Sequence, residues 1–169
     1  LNHEKEQSPG AVVVAAIIGE TSILLIKEVT KPTPHYWKLV SETVENGEPI
    51  LDALQRGVAE EAVLKLEVRL ANGQVVEIID KRINVARQLV PSHMLWKPTT
   101  HRRHFWGLMT TDEVVQSLSG QKLTGDKNEE IETKAFPLAE LGKMAEFREF
   151  LPHHDKLINM IGKVGAGEA

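Results

Sequence analysis

The chain has 169 residues, 41% hydrophobic and 26% charged, which suits one compact domain with a true core. A net charge of −4 gives no extended basic surface for gripping nucleic acid through its phosphates. The absence of cysteine excludes disulfide scaffolds, thiolate zinc sites and cysteine nucleophiles, and points to a reducing, cytoplasmic setting.

Residues 1–10, LNHEKEQSPG, are polar and end in Pro-Gly, as a flexible leader would. Ala11–Ile18 and Ser22–Val29 are apolar and rich in branched residues, and the turn-like Gly19-Glu20-Thr21 between them predicts a hairpin buried on both faces. Neither run approaches the roughly 18 apolar residues that cross a bilayer, so no membrane partner is expected. After the Pro32 and Pro34 break, His35–Val40 predicts a strand and Ser41–Glu48 a loop. Pro49 suits a first helical turn, and the four-residue recurrence of Ile50, Leu54, Val58, Ala62 and Leu66 predicts a helix from Pro49 to about Leu66. Further strands are expected at Val75–Ile79, Ile83–Val90, His104–Thr110 and Ile131–Phe136, and helices at Leu138–Phe150 and Pro152–Val164. One α+β domain follows over 11–165, a mixed β-sheet in an α/β/α sandwich, with 166–169 as a tail.

The segment that carries chemistry is Trp37–Leu66, a strand, a Gly-containing loop and an acid-bearing helix. It resembles the box of the Nudix family, G-x5-E-x7-R-E-U-x-E-E-x-G-U with U aliphatic. Glu48, Arg56, Val58, Glu60, Glu61 and Leu64 fit the pattern. Glu42 stands at the first Gly, Gly57 at the Glu after the Arg, and Val63 at the late Gly, while Val40-Ser41 replaces the usual preceding Pro-Gly.

Helix positions 57, 60 and 61 share one face, and three carboxylates there would form an oxygen cage for Mg²⁺ or Mn²⁺, of which this chain supplies two. The resemblance implies that Glu60 and Glu61 bind metal and take part in phosphoanhydride hydrolysis. Arg56, four residues before Glu60, is expected to pair with it, and Glu48 to cap the helix. A Gly inside a helix costs about 1 kcal/mol relative to Ala, so Gly57 invites an explanation by space. One expectation is that Glu42 swings its carboxylate into the gap, and the alternative is loss of function by drift. Glu130, beside Glu129 in a polar loop, is a further candidate metal ligand by the resemblance.

Arg102 and Arg103, leading into Phe105 and Trp106, together with Tyr36, are the candidates for holding a diphosphate and stacking a base. Three functions stay open on the sequence. The first is a metal-dependent pyrophosphohydrolase of a nucleoside diphosphate linked to another moiety, the second an inactive nucleotide-binding or regulatory module, and the third a homodimer with a vestigial pocket.

Overall fold

The computed structural model describes residues 11–32, 35–64, 68–71, 74–78, 82–90, 102–125 and 128–143. Strand β1 (Ala11–Ile18) contains only small or branched apolar residues, so it is stable only where both faces are covered. It lies within the sheet, sending Val13, Ala15 and Ile17 into one core cluster and Val14, Ala16 and Ile18 into the other. Strand β2 (Ser22–Glu28) returns antiparallel and pairs with β1 at Ile17 and Ile18. The rest of that edge, Val12 to Ala15, is taken by β3 (Val40–Thr43).

The β4 (Val68–Ala71) and β5 (Gln74–Ile78) pair forms a small sheet of its own. In the large sheet β6 (Val85–Val90) pairs with β7 (Arg102–Met109), and β7 runs parallel to β1 in an unbroken register from Ala11↔Arg102 to Ile18↔Met109. Beyond β2 come β9 (Glu130–Pro137) and β8 (Lys122–Thr124), giving the order β6-β7-β1-β2-β9-β8 with β3 also beside β1. The sheet is mixed and the fold α+β, as expected.

Helix α1 (Ile50–Ala62) packs Leu54, Val58 and Ala62 on the face of β1 that carries Val13 and Ala15, joined there by Val115 and Leu118 of α2 (Asp112–Leu118). On the opposite face Trp37, Leu39, Phe105 and Leu141 close the second cluster, with Leu141 supplied by a 3-10 helix, Leu138–Lys143.

Several boundaries depart from the sequence expectation. The strand expected over His35–Val40 is realised as β3 from Val40, preceded by a single bridge between Lys38 and Ile26 of β2. Helix α1 ends at Ala62 rather than near Leu66, because Val63 turns left-handed (φ 56°, ψ 37°) and the Leu64 N–H bonds back to the Val58 carbonyl. The short helix α2 was not anticipated, and neither were β4 and β8. The helix expected from Leu138 begins as the 3-10 turn; its remainder and the helix expected over Pro152–Val164 lie outside the described residues.

The turn between β1 and β2 is fastened to α2. Asp112 accepts hydrogen bonds from the Thr21 N–H and from the hydroxyls of Thr21 and Ser22, while its own N–H donates to Glu20. The Ser22 hydroxyl, with the Thr21 donors, holds the Asp112 carboxyl below the usual range. A Cβ on Gly19 would stand 2.5 Å from Asp112 Oδ1 and 2.9 Å from its backbone nitrogen, so this approach needs glycine.

The left-handed Val63 yields a stability prediction. A branched side chain in this conformation costs about 1–2 kcal/mol, and the residue is 44% exposed, so little packing is lost on removing it. Val63→Gly is expected to stabilise the fold by roughly 1 kcal/mol, seen as a higher thermal midpoint. An unchanged or lower midpoint would show that the strain is relieved elsewhere.

Candidate active site between β2, β3 and α1

Alternation along two strands sets the polar lining of this site. In β2 the row Leu24, Ile26, Glu28 points to the α1 side, its first two members in the core and the third at the strand's open end. The row Lys38, Val40, Glu42 reaches the same side, with Val40 in the core and a charge before and after it. Opposite them α1 presents Glu61. Val12, Glu28, Lys38, Glu42, Glu61 and Glu129 are among the residues lining a hollow of about 270 Å³.

Glu61 is only 6% exposed and accepts a hydrogen bond from the Ser41 N–H, at 3.3 Å. Burial is the main cause that pushes its pKa up to about 8; Lys38 opposes this, and the charges of Glu42 and Glu28 add to it. Lys38 Nζ is 3.0 Å from Glu28 Oε1, and Lys31 lies 3.5 Å from the same carboxylate. Burial alone would raise the Glu28 pKa, but these two cations hold it below the ordinary value. Glu42 is half-buried, and desolvation raises its pKa against the pull of Arg56, with the charge of Glu60 adding to the rise.

Arg56 does not pair with Glu60 as the helical spacing suggested. It leaves α1 for the loop, where it forms ion pairs with Glu48, with Glu45 at 3.5 Å and with Glu42 at 3.6 Å, and donates to the Thr43 carbonyl at 2.8 Å. Three carboxylates outside the helix outweigh the one on it. Glu48 likewise does not cap α1, whose N-cap is Pro49 with no side-chain bond. Its carboxylate instead accepts from the Glu45 N–H and from Arg56, closing the loop on the helix.

Of the residues singled out in the sequence, Glu42 and Glu61 line one hollow, and Glu60 is half-buried near enough to Glu42 to act on its charge. Glu130 begins β9 and lines a separate hollow at the β8 edge; its neighbour Glu129 is the one that reaches the Glu61 hollow. Tyr36 is exposed ahead of β3. Arg102 and Arg103 pair through their backbones with Ala11 and Val12, and their side chains lie outside the described residues. Sequence reasoning passed over Glu28 and Lys38. Their signal was available: each is a charge that falls in register with a buried row of its strand.

Among the described residues no three acidic or histidine side chains converge closely enough to hold a metal ion as they stand, and Lys38 and Arg56 are paired with Glu28 and Glu42. The donors are nonetheless carboxylate oxygens from three elements facing one hollow, which fits a hard divalent cation in kind.

The sequence of residues 8–158 matches the family model for the NUDIX domain. The chain belongs to the Nudix family. Solved structures with the same fold include a NUDIX hydrolase from Nitrosomonas europaea, 18% identical, with 95% of this chain and 91% of that one covered and a TM-score of 0.54. The NUDIX domain of Shewanella oneidensis NrtR, solved with ADP ribose, is 15% identical over 91% of this chain and 86% of that one, TM-score 0.57. An ADP compounds hydrolase is 17% identical over 94% and 75%, TM-score 0.56. No curated protein sequence gives a significant match. In this Nudix chain Glu42 stands on β3 and Gly57, Glu60 and Glu61 stand on α1.

Proposed function

We propose that this chain is a Mg²⁺- or Mn²⁺-dependent pyrophosphohydrolase acting on a nucleoside diphosphate linked to another moiety. The observation that carries this reading is Glu61. A carboxyl group buried beside Glu28 and Glu42, its pKa pushed up by desolvation in a hollow, is the kind of perturbed acid found at functional sites. The fold neighbours that bind ADP ribose or hydrolyse ADP compounds support the substrate class.

In this reading Glu60, Glu61 and Glu42 hold the cation, with Glu129, from the loop before β9, completing the set. Bound there, a divalent cation would neutralise diphosphate charge and lower the pKa of an attacking water. The reaction joins the water oxygen to one phosphorus while the bridging oxygen leaves with the other. Arg56 is a positioning residue that ties Glu42 and the loop to α1. Arg102 and Arg103 on β7 are assigned to the diphosphate and Tyr36 to the base. The absence of a helical carboxylate at position 57 favours a second reading, a nucleotide-binding module without turnover.

The deciding experiment measures phosphate or mononucleotide release from nucleoside triphosphates, dinucleotides, nucleotide sugars and ADP-ribose with Mg²⁺ or Mn²⁺. Turnover by the parent that disappears in Glu61→Gln is the expected result. Absence of turnover on every substrate, with a nucleotide still raising the melting temperature, overturns the hydrolase and leaves the binding module.

A further inference from the structure

We infer that Glu42 and Gly57 are a matched pair, in which the missing side chain on α1 is the seat for a carboxylate delivered from β3. Gly57 lies in the buried middle of α1, where glycine is unfavourable relative to alanine. Its φ is not among the positive values, so the backbone does not need it. What needs it is space. A Cβ on residue 57 would stand 3.0 Å from Glu42 Cβ, 3.7 Å from Glu42 Cγ and 3.8 Å from Val40 Cγ1.

The stem of Glu42 therefore lies across the helix at Gly57, and Val13, Ala15, Val40, Ala53 and Leu54 close the apolar floor beneath it. From there its carboxylate runs to Arg56, the neighbour of Gly57 on the same helix, at 3.6 Å. Seat and clamp thus come from consecutive residues of α1. They bring a strand-borne acid to the helix face beside Glu60 and Glu61, at the place where an acid grown from position 57 would emerge. One seat admits one occupant: a side chain at 42 or a side chain at 57.

The donor role of Glu42 rests on the proposed function, but the pairing does not, so two readouts separate them. Melting temperatures of the metal-free protein are measured for Gly57→Ala, Gly57→Glu, Glu42→Gly and the two double variants, then repeated with Mn²⁺. Removing a helical glycine alone would raise the midpoint by about 2–4 °C in an open site. With Glu42 present, Gly57→Ala is expected to give no rise and Gly57→Glu a fall. In the Glu42→Gly background Gly57→Ala is expected to show the full rise, and Gly57→Glu to lose its penalty.

The Mn²⁺-induced shift is expected to vanish in Glu42→Gly and to return in Glu42→Gly/Gly57→Glu, where the acid is moved from strand to helix. Additive melting temperatures overturn the pairing. A Mn²⁺ shift that survives Glu42→Gly, or does not return in the exchanged variant, overturns the delivery of a donor. No Mn²⁺ shift in the parent overturns the metal-dependent function and the donor role with it, whatever the metal-free cycle shows.

Discussion

Metal-free protein carrying Glu61→Gln is expected to be more stable than the parent at pH 8, by roughly 2–4 kcal/mol, although the same change is expected to abolish turnover. The folded Glu61 carboxyl is pushed up to about 8 by burial, against an ordinary value of 4.5. Between those two values the folded state holds a proton that the unfolded chain has released. Stability therefore falls as pH rises from about 4.5 to about 8 and stays at the lower level above. The displacement corresponds to at most about 5 kcal/mol, reduced by whatever relaxation brings water to the carboxylate.

Glutamine keeps an acceptor for the Ser41 N–H and carries no charge to desolvate, so its profile over this window should lack the slope that Glu61 contributes. Glu42, raised by burial, acts in the same direction as Glu61. Glu28 and Asp112, held low, act in the opposite one, adding stability that is lost only in acid as they become protonated. Urea midpoints in EDTA from pH 5 to pH 8 test this: parallel profiles for parent and variant would remove Glu61 as the source of the slope.

The second large effect is expected at Thr133, a nearly fully buried hydroxyl between α2 and β9. Its Oγ1 donates to the Leu118 carbonyl at 2.6 Å and accepts from the Gln121 N–H at 3.0 Å, while the backbones of Thr133 and Gln121 also bond. Thr133→Val keeps the shape and leaves a buried carbonyl and a part-buried N–H without that partner. The expected cost is about 2–4 kcal/mol, from two unsatisfied groups at the usual penalty for each. Chemical denaturation measures it directly, and a loss below about 1 kcal/mol would mean that water reaches both groups.

What the sequence made legible was whatever one element decides alone. β1 and β2 are apolar on both faces, and α1 shows its buried stripe at Leu54, Val58 and Ala62, so these are placed closely by periodicity. β3 was displaced because its position depends on which part of β1 remains open once β2 has taken Ile17 and Ile18. The seven residues of α2 are too few to show a stripe, although Thr111 does cap it through the Val114 N–H and Asp112 and Glu113 follow in its first turn.

Within the site, Glu61 was legible from helical spacing and from the family resemblance. The partners of Arg56 were not, because spacing along one helix says nothing about the three glutamates that β3 and the loop after it bring to that side chain. The contact of Glu42 with Gly57 was accessible as a question, since a buried helical glycine asks what occupies its place. Only the crossing of β3 over α1 answers it.

The parallel pairing of β1 with β7 has a consequence for how the chain reaches this structure. Every strand-to-strand bond that β7 makes with β1 joins early residues to ones synthesised much later, with the whole of α1 and the β4–β5 sheet in between. During translation β1 and β2 emerge as a greasy hairpin whose sheet cannot be completed until α1, β4 and β5 have been made and β7 follows. That places the greatest demand for chaperone protection on the segment AVVVAAII, and makes slow elongation before β7 the condition under which this protein would be most prone to aggregate.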